Sequence, residues 1–378
     1  MPRLPPSLIR RAHSISPHLA TLLPACRDLG SARNELRWIR EYVADVVSSH
    51  NSHNSTASNA SVDHSRALRQ LNQLRENALL SRLCRRRGSG VPLQYILGTQ
   101  PFGDLEIRCR KGVLIPRPET EAWVSRLAEV VRGEGGHGFN EGHVRLNILD
   151  LCTGSGCIAL LLYSLLRRSF SGLDVRAVDV ETRAVALARE NLACNSRQGF
   201  LAGAGQAVEF EEADIFSAEW LSSLLRQGGN ANGIGTGDES PAIDILVSNP
   251  PYISARGFNR DTERSVRKYE PKLALVPSIS STSFPDCRPE DVFYARLLEV
   301  YEVLRPRFAV FEVGDLEQAL RVVQMTRSKC NGAKIEVWRD WPDMQPCDDE
   351  ADFVEVDGVG VPVRGSGNGR AVFIRRTV

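Results

Sequence analysis

The 378-residue chain is long enough for two domains, and its composition, 42% hydrophobic and 25% charged, is that of an ordinary globular protein. Its longest apolar run, residues 158–166, is too short to cross a bilayer, so the sequence predicts no transmembrane helix. The net charge of +1 conceals an asymmetry, because residues 1–90 carry 14 Arg, no Lys and 6 acidic residues, and the acidic remainder disfavours tight binding to a phosphate backbone.

Residues 1–27 form the first distinct segment. They contain Arg3, Arg10, Arg11 and Arg27 with several Ser, Thr and Leu, and no acidic residue precedes Asp28. An Arg-rich, acid-poor N-terminus of this kind is typical of a mitochondrial transit peptide. We therefore predict a protein of the mitochondrial matrix, with a disordered cytosolic N-terminus as the alternative.

Residues 28–90 are predicted to form a small helical domain. Two segments carry apolar residues at helical spacing. Between them, residues 48–61 are rich in Ser, Asn and His with too few apolar side chains to pack, which predicts a disordered insertion. The apolar residues of the first helix are Leu36, Ile39, Val43, Val46 and Val47, and those of the second are Leu71, Leu74, Leu79, Leu80 and Leu83.

Residues 91–378 are predicted to form an α/β domain. Short strands are expected at 102–108 and 112–115, followed by a helix that begins at Pro118, where the missing N–H costs nothing. After Gly142, strands and helices alternate, which predicts a parallel, doubly wound, Rossmann-like sheet. Stretches rich in Gly, Ser and Asn at 131–143, 199–206, 227–240 and 355–370 are predicted surface loops. The predicted strands are 146–151, 175–180, 208–211, 243–247, 308–313, 335–337 and 371–374.

The distribution of cysteine and histidine excludes two classes of site. No pair among the nine cysteines has C-x-x-C spacing, which favours free thiols in a reducing compartment. All seven histidines lie between His13 and His143, so the later core contains neither a histidine metal site nor a Ser-His-Asp triad. We expect no bound metal.

A glycine-containing turn follows the first strand of the predicted sheet. It consists of Asp150, Leu151, Cys152, Thr153, Gly154, Ser155 and Gly156. Glycines allow close backbone approach to a ligand, and the start of the following helix offers free amides. Asp179 ends the next strand, where a carboxylate can bind a ribose diol, and Asp214 follows the third, where it can reach an adenine amino group. These residues predict a cofactor that contains a nucleoside.

The type of cofactor stays open at this point. Gly154, Gly156 and Ala159 satisfy the dinucleotide fingerprint, so a dehydrogenase is one reading. An acidic Asp150 directly before the turn suits a methionine-type ligand with an ammonium group better than a pyrophosphate. A plain tight turn, with Asp179 and Asp214 as helix caps, is the structural alternative.

A second constellation follows the predicted strand 243–247. Asn249, Pro250, Pro251 and Tyr252 come after it, at the edge of the sheet where ligands bind in open α/β folds. Two consecutive prolines fix their φ angles and donate no hydrogen bonds, so the turn is rigid. An ordinary Asn-Pro turn is the alternative reading.

Such a turn suits the methylation of a planar nitrogen. An amide or aromatic amine is a poor nucleophile because its lone pair is delocalised. The Asn249 side-chain oxygen and the Pro250 carbonyl can hold both N–H bonds and direct the lone pair at a sulfonium methyl, which is catalysis by positioning. Tyr252 offers a flat face for a planar amide or base.

At this point the chain resembles the protein-(glutamine-N5) methyltransferases of the HemK/PrmC type, which modify the Gly-Gly-Gln glutamine of peptide-chain release factors. The resemblance covers residues 91–378, with a weaker helical match over 33–87. Besides the Asn-Pro-Pro-Tyr turn and the glycine loop, it rests on the segments Pro92-Leu93-Gln94-Tyr95-Ile96-Leu97-Gly98, Phe102, Leu114-Ile115-Pro116-Arg117-Pro118-Glu119-Thr120-Glu121, Glu270-Pro271, Ala274-Leu275, Phe311-Glu312-Val313-Gly314 and Gln318.

The resemblance implies S-adenosylmethionine as the cofactor and a mitochondrial release factor as the protein substrate, recognised in part by the helical domain. It places the cofactor against Asp150, Cys152, Thr153, Gly154, Ser155, Gly156, Asp179, Asp214, Ile215 and Asn249. It places the substrate glutamine against Asn249, Pro250, Pro251 and Tyr252, with Arg117 and Glu119 near the mouth. Two positions depart from the family pattern, because Cys152 replaces a glycine and Ile215 replaces a frequent aromatic residue.

Three alternatives remain. A nucleic-acid methyltransferase acting on an exocyclic amine such as adenine N6 shares the Asn-Pro-Pro-Tyr turn, but it needs basic target contacts that the acidic half disfavours. An inactive cofactor-binding scaffold is disfavoured because Asn249 and the loop acids are intact. A dehydrogenase would bind nicotinamide and would not need Asn249.

Overall fold

The structure is a computed structural model that describes residues 3–53, 62–134, 145–227, 243–278, 284, 287–330 and 332–377. Its contacts divide the chain into two compact units. Unit 1 contains the residues up to Thr99 together with Glu263–Tyr269, and unit 2 contains Gln100–Thr262 and Glu270–Val378. Among the described residues, no helix has both the length and the apolar character needed to cross a membrane.

Unit 1 is helical, as the sequence predicts. Asp28 accepts a hydrogen bond from the Ser31 amide at 2.8 Å, which caps the start of the first long helix. Arg87 and Glu35 form a two-bonded ion pair at 2.6 and 2.8 Å between the two long helices. The helices are α1 (Pro6–Ile15), α2 (Pro17–Cys26), α3 (Leu29–His53), α4 (Val62–Gly88) and α5 (Leu93–Leu97).

The N-terminal boundary of this unit differs from the predicted one. Residues 6–26, which we assigned to a transit peptide ahead of a helical domain at 28–90, form α1 and α2. Leu19, Leu22 and Leu23 are buried in the same core as Leu36 and Ile39. The folded unit therefore includes most of the predicted transit peptide. That these residues direct import, before the unit folds, stays a prediction.

The long helices also correct two details. Helix α3 continues to His53, beyond the predicted start of the insertion at residue 48, and residues 54–61 lie outside the described part of the chain. Leu71 and Leu74 are 43% and 66% exposed, whereas Leu80 and Leu83 are buried. At about 100° per residue, Leu71 lies roughly opposite Leu80, so the predicted apolar side of α4 was too wide.

Unit 2 is an α/β domain built on a nine-stranded sheet. A two-stranded hairpin, β1 (Thr99–Phe102) with β2 (Leu105–Arg108), precedes it. The strands of the sheet are β3 (Arg145–Leu151), β4 (Gly172–Asp179), β5 (Val208–Glu212), β6 (Ile245–Ser248), β7 (Phe308–Glu312), β8 (Lys334–Trp341), β9 (Phe353–Val356), β10 (Val359–Arg364) and β11 (Ser366–Arg375). The helices are α6 (Pro118–Glu134), α7 (Cys157–Leu166), α8 (Thr182–Arg197), α9 (Ala204–Ala207), α10 (Ala218–Gln227), α11 (Ala255–Arg260), α13 (Val292–Leu304) and α14 (Leu316–Lys329), while α12 (Arg264–Tyr269) belongs to unit 1.

The strand order is β5-β4-β3-β6-β7-β11-β8-β10-β9. Strands β3 to β7 are parallel, and two separate apolar clusters cover the two faces of the sheet. The chain winds outwards from β3 to β5 and then returns to β6 on the other side of β3. This reversal makes the carboxyl ends of β3 and β6 the switch point, which is where ligands bind in doubly wound sheets.

The C-terminal third of the sheet departs from the prediction of a wholly parallel sheet. Strand β11 lies antiparallel between β7 and β8, and the predicted loop 355–370 contains β10 and the start of β11. A parallel return needs a crossover, usually a helix, and the segment between β8 and β11 forms strands instead. Gly369 lies in a bulged part of β11, where an added Cβ would come within 2.7 Å of Leu316 Cα. Glycine at this position therefore indicates close packing within a strand rather than a loop.

Two smaller predictions of secondary structure were also wrong. Residues 112–115 form a turn and an extended segment, not a strand. The predicted loop 199–206 ends in α9 and buries Leu201 and Ala204 completely. Within the predicted loop 131–143, α6 continues to Glu134, and residues 135–144 and 228–242 lie outside the described part of the chain.

Candidate active site

A cavity of about 450 Å³ opens at the carboxyl ends of β3 to β6, at the switch point of the sheet. This volume is within the range of small-molecule sites. Each of these strands contributes to its lining: Cys152 to Ser155 follow β3, Asp179 ends β4, Asp214 follows β5, and Asn249 follows β6. The extended segment from Gly112 to Arg117 lines another side.

The glycine loop has its shape for two different reasons. At Gly156, which has φ of 79°, an added Cβ would come within 2.9 Å of both Ala188 and Phe210, so only glycine lets α7 start this close to its neighbours. At Gly154, φ is 57° and an added Cβ would meet nothing within 4 Å. The Cα of Gly154 therefore borders open space, which leaves room for a ligand beside the loop, while the Gly154 amide donates to Asp179.

Cys152 departs from the family pattern and adopts the backbone that glycine would take. Its φ of 62° lies in the left-handed region, which costs a residue with a Cβ about 1 kcal/mol or more. The side chain is half-buried and lines the cavity. Burial, with the Asp179 carboxylate nearby, raises the pKa of the thiol well above its usual value, so the group is a neutral thiol. Cys152 therefore occupies a left-handed backbone position as a neutral thiol at the cavity wall.

Asp150 lies beneath the loop and does not line the cavity. Its Oδ2 accepts a hydrogen bond from Thr153 Oγ1 at 2.6 Å, while its buried Oδ1 has no partner among the described residues. Burial raises the pKa of this carboxyl to about 7, although the Thr153 hydrogen bond acts to lower it. Asp150 therefore affects the cavity indirectly, through its hydrogen bond with Thr153.

Asp179 lines the cavity and anchors two backbone amides. Its Oδ2 accepts from Gly154 N at 2.8 Å and its Oδ1 accepts from Glu181 N at 2.9 Å. Burial raises the pKa of Asp179, and these two hydrogen bonds act in the opposite direction. Each carboxylate oxygen keeps a second lone pair, so the side chain can hold the loop and accept from a hydroxyl at the same time.

The side of the cavity beyond β5 contains aromatic residues that sequence reasoning missed. Asp214 caps its own turn by accepting from Phe216 N at 2.9 Å, and Ile215 is buried behind it. Phe216 and Phe293 line the cavity and pack edge to face with ring centroids 5.0 Å apart. They supply the aromatic surface that Ile215 lacks. Phe293 lies on α13, far along the chain, and no local signal connects it to this site.

The Asn249 turn presents hydrogen-bond acceptors with no partner of their own. Asn249 Oδ1 is buried and accepts no hydrogen bond from any described residue, while Nδ2 donates to Thr120 Oγ1 at 3.4 Å. Pro251 lines the cavity, and Pro250 is buried behind it. A buried polar oxygen without a partner is costly, so its presence in a cavity wall indicates a ligand that donates to it.

Tyr252 occupies a different position from the one expected of it. It is not among the residues that line the cavity. Its hydroxyl donates to Glu312 Oε1 at 3.2 Å, and its carbonyl accepts from Gln318 Nε2 at 3.2 Å. Burial and the Glu312 carboxylate raise the pKa of the phenol far above its usual value. In this structure Tyr252 holds the turn in place rather than facing the cavity.

Arg117 and Glu119, which were both predicted near the mouth of the site, differ in whether they line the cavity. Arg117 lines the cavity and forms an ion pair with Glu270, with Nη2 2.6 Å from Oε1. Burial acts to lower the pKa of Arg117, and the Glu270 charge more than offsets this. Glu119 does not line the cavity, whereas Thr120, one residue further, does. Thr120 belongs to the segment 114–121 on which the family resemblance rests, but it was not among the predicted site residues.

The comparisons with known proteins agree with this geometry. The chain is 34% identical over 319 residues to the mitochondrial MRF1 N(5)-glutamine methyltransferase of Saccharomyces cerevisiae, covering 84% of this chain and 78% of the relative. It is 30% identical over 311 residues to the release factor glutamine methyltransferase of Bacillus subtilis, covering 81% and 92%. The chain belongs to the release factor glutamine methyltransferase family. It is an S-adenosylmethionine-dependent methyltransferase with a Rossmann-like fold.

More distant comparisons add little. No protein-family model matches the chain. A solved structure of a human methyltransferase 10 domain containing protein is 14% identical, covers 73% of this chain and 89% of that one, and has a TM-score of 0.40. The assignment to the release factor glutamine methyltransferases rests on the sequence relatives.

The described residues fit the cofactor of this family. The open space at Gly154 leaves room for a ligand beside the loop, Asp179 keeps lone pairs for a ribose, and the two phenylalanines offer an apolar side for a base. The predicted site residues divide into those that line the cavity and those that do not. Those lining the cavity are Arg117, Cys152, Thr153, Gly154, Ser155, Asp179, Asp214, Ile215, Asn249 and Pro251, and those outside it are Glu119, Asp150, Gly156, Pro250 and Tyr252.

Proposed function

We propose that the protein methylates the side-chain amide nitrogen of the glutamine in the Gly-Gly-Gln motif of a mitochondrial peptide-chain release factor. One observation carries the proposal. Asn249 Oδ1 is a buried acceptor without a partner among the described residues, at the wall of a cavity in a chain of this methyltransferase family. A primary amide brings two N–H donors on one planar nitrogen, and the sequence relatives, which are named as glutamine methyltransferases, favour it over an aromatic amine.

Two acceptors would hold this nitrogen. Asn249 Oδ1 accepts one N–H, and the Pro250 carbonyl takes the other. Pro250 does not itself line the cavity, but it lies between Asn249 and Pro251, which do. With both N–H bonds fixed, the nitrogen lone pair points away from the turn and into the cavity. S-adenosylmethionine supplies an electrophilic methyl group there. The turn acts by orientation and by electrostatic stabilisation of the amide.

The residues also account for the protons. The cofactor would supply the methyl group and leave as the neutral thioether, and the methylated amide nitrogen would then release one of its two protons to water. The acceptors that hold these N–H bonds favour the positive charge that develops on nitrogen, so no strong base is needed before transfer. The chain has no histidine after His143, so histidine does not serve as a base in the β6 turn.

The mitochondrial assignment rests on the relatives and the N-terminal composition. Both yeast relatives carry mitochondrial MRF1 in their names, and the second, of Schizosaccharomyces pombe, is 36% identical over 239 residues. Residues 1–27 have the Arg-rich, acid-poor composition of an import signal. We infer a matrix enzyme that acts on a release factor of the organellar ribosome.

A methyl-transfer assay tests the substrate. Purified protein and tritiated S-adenosylmethionine are incubated with a mitochondrial release factor whose Gly-Gly-Gln glutamine is either intact or replaced by alanine. We expect label only in the intact factor. Label in both factors would place the methyl group elsewhere, and no label in either, with the cofactor bound, would contradict the proposal. A parallel arm with an adenine-containing oligonucleotide separates the nucleic-acid alternative.

A further inference from the structure

Glu312 is a buried carboxylate without a role in the site described so far. It ends β7, beside β6, and is 1% exposed. It does not line the cavity. A buried carboxylate is costly unless hydrogen bonds compensate it, so its partners indicate what it does.

Glu312 receives three hydrogen bonds. Thr120 Oγ1 and Trp123 Nε1 donate to Oε2 at 2.6 and 2.8 Å, and Tyr252 donates to Oε1 at 3.2 Å. The indole N–H can only donate. The three bonds therefore suit an ionised carboxylate, which can only accept. Burial raises the pKa of Glu312, while these donors and the nearby Arg370 charge act to lower it.

The direction of the first bond determines the next one. A threonine hydroxyl has a single proton, and the short contact of 2.6 Å assigns it to Glu312. Thr120 Oγ1 can then only accept from Asn249, which must turn its NH₂ group towards Thr120, at 3.4 Å. The other end of the Asn249 amide, Oδ1, is then left without a donor among the described residues, on a residue that lines the cavity. With the opposite rotamer, Asn249 would present donors there.

We propose that Glu312 is a positioning residue that, through Thr120, fixes the Asn249 side chain with its oxygen towards the substrate. This inference rests on the proposed function, because it assumes that Asn249 Oδ1 accepts a substrate N–H. An Asn249 amide turned the other way would oppose the NH₂ group of a glutamine with its own NH₂ group. The relay from Glu312 through Thr120 to Asn249, here called the acceptor relay, prevents this rotation.

Matched variants separate the relay from simple packing. Thr120→Val keeps the shape and removes the hydroxyl, whereas Thr120→Ser keeps the hydroxyl. Glu312→Met removes the acceptor, whereas Glu312→Gln keeps one, because the indole N–H of Trp123 holds the glutamine oxygen on the Thr120 side. Trp123→Phe removes a hydrogen bond to the same carboxylate oxygen without breaking the relay.

The test compares kcat for methyl transfer with the affinity for S-adenosylmethionine. For Thr120→Val and Glu312→Met we expect a loss of kcat of about 10- to 100-fold, the range for the loss of a partner that orients a contacting side chain, with cofactor Kd unchanged. Thr120→Ser, Glu312→Gln and Trp123→Phe should stay near the wild-type kcat. The double variant Thr120→Val/Glu312→Met should be no worse than either single variant, since one relay is broken once.

Two results would overturn the inference. One is near-normal kcat in Glu312→Met. The other is a multiplicative loss in the double variant, which would mean that Thr120 acts on the substrate independently of Glu312. The wild-type enzyme in the same assay reports on the proposed function separately, because an inactive wild type contradicts that function and not the relay.

A second measurement covers the case in which Glu312→Met does not fold. The side-chain NH₂ signals of Asn249 are identified in ¹⁵N spectra by their loss in Asn249→Ala. We expect them to shift in Thr120→Val, where the acceptor is missing, and to stay in place in Thr120→Ser. Identical Asn249 signals in both threonine variants would contradict the relay.

Discussion

The two rims of the cavity are built differently. On the rim formed by β3 and β4, the carboxylate that lines the cavity is already held by the protein, since Asp179 accepts from two backbone amides. Asp150, which has one buried oxygen without a partner among the described residues, lies beneath this rim and does not line the cavity. On the rim formed by β6, Asn249 Oδ1 has no partner among the described residues. The cavity-lining carboxylate of the first rim is therefore fixed before a ligand binds, whereas the acceptor of the second rim still lacks a donor.

This difference assigns different tasks to the rims. A rim whose side chains are fixed by the backbone loses little entropy when a ligand binds, which favours tight binding of a cofactor. A rim that keeps a buried acceptor open stores a cost that only a matching donor removes, which favours discrimination between substrates. Changes on the first rim should therefore affect cofactor affinity, and changes on the second should affect catalysis.

The largest effect is expected at Asn249. Replacing Asn249 by alanine removes the acceptor that orients the substrate amide, and we expect kcat to fall by about 10³-fold, as for the loss of one preorganised polar group. Cofactor Kd, measured by calorimetry, should change by less than a factor of about three, because the β3–β4 rim is untouched. A variant that methylates at the wild-type rate would refute the amide clamp.

The next effect is expected on the opposite rim. Asp179→Ala leaves the amides of Gly154 and Glu181 without their acceptor. We expect S-adenosylmethionine to bind about 50- to 100-fold more weakly, corresponding to a loss of about 2–3 kcal/mol. Asp214→Ala is the matched control, since Asp214 is exposed and bonds only to its own turn among the described residues, and its effect should be smaller. Equal affinity in the wild type and Asp179→Ala would remove the ribose assignment.

A smaller effect concerns pH. Burial raises the pKa of Asp150 to about 7 in the folded protein, well above the usual value of an aspartate, so the folded state binds more protons than the unfolded state between these values and loses stability as pH rises through this range. Asp150→Asn removes this titration. Its unfolding free energy relative to wild type should therefore increase from pH 5 to 7, by at most about 1.4 kcal/mol per pH unit. Denaturant titrations at three pH values measure this, and a constant difference would contradict it.

The smallest effect is expected at Cys152. Both Cys152→Gly and Cys152→Ala remove the thiol, but only glycine adopts the left-handed backbone without strain. We expect the glycine variant to be more stable than the alanine variant by about 1 kcal/mol in denaturant unfolding. Since Cys152 lines the cavity, their cofactor affinities should be compared as well. An alanine variant as stable as the glycine variant would show that the loop relaxes around a Cβ.

The sequence predicted most of the parallel half of the sheet because each element carries its own signal. Strands β3, β4 and β6 are apolar runs that lead directly into Gly154, Asp179 and Asn249, so strand and site residue were found together. The rule that ligands lie at the carboxyl ends of parallel strands then placed these residues around one cavity. This part of the site needed no information about distant contacts.

The remainder depends on contacts that local patterns do not contain. Gly369 belongs to a Gly-rich stretch that is typical of a loop. Its close approach to Leu316 explains why a strand has glycine there, and this contact is not visible in the sequence. Phe293 and Thr120 reach the cavity from elements whose positions follow from packing. The inward position of Tyr252 depends on Glu312, 60 residues away in the chain. Roles set by such partners could not be predicted from a single motif.

The position of β11 has a consequence for how the domain is made. This strand, at residues 366–375, separates β7 from β8, so neither of them has both of its neighbours until β11 has been synthesised. During that interval β7, which carries Glu312, has one unpaired edge, a known source of intermolecular pairing. Long-range pairings of this kind also fold slowly. The strand that carries Glu312 therefore gains its second neighbour only when β11, the last strand in chain order, joins the sheet.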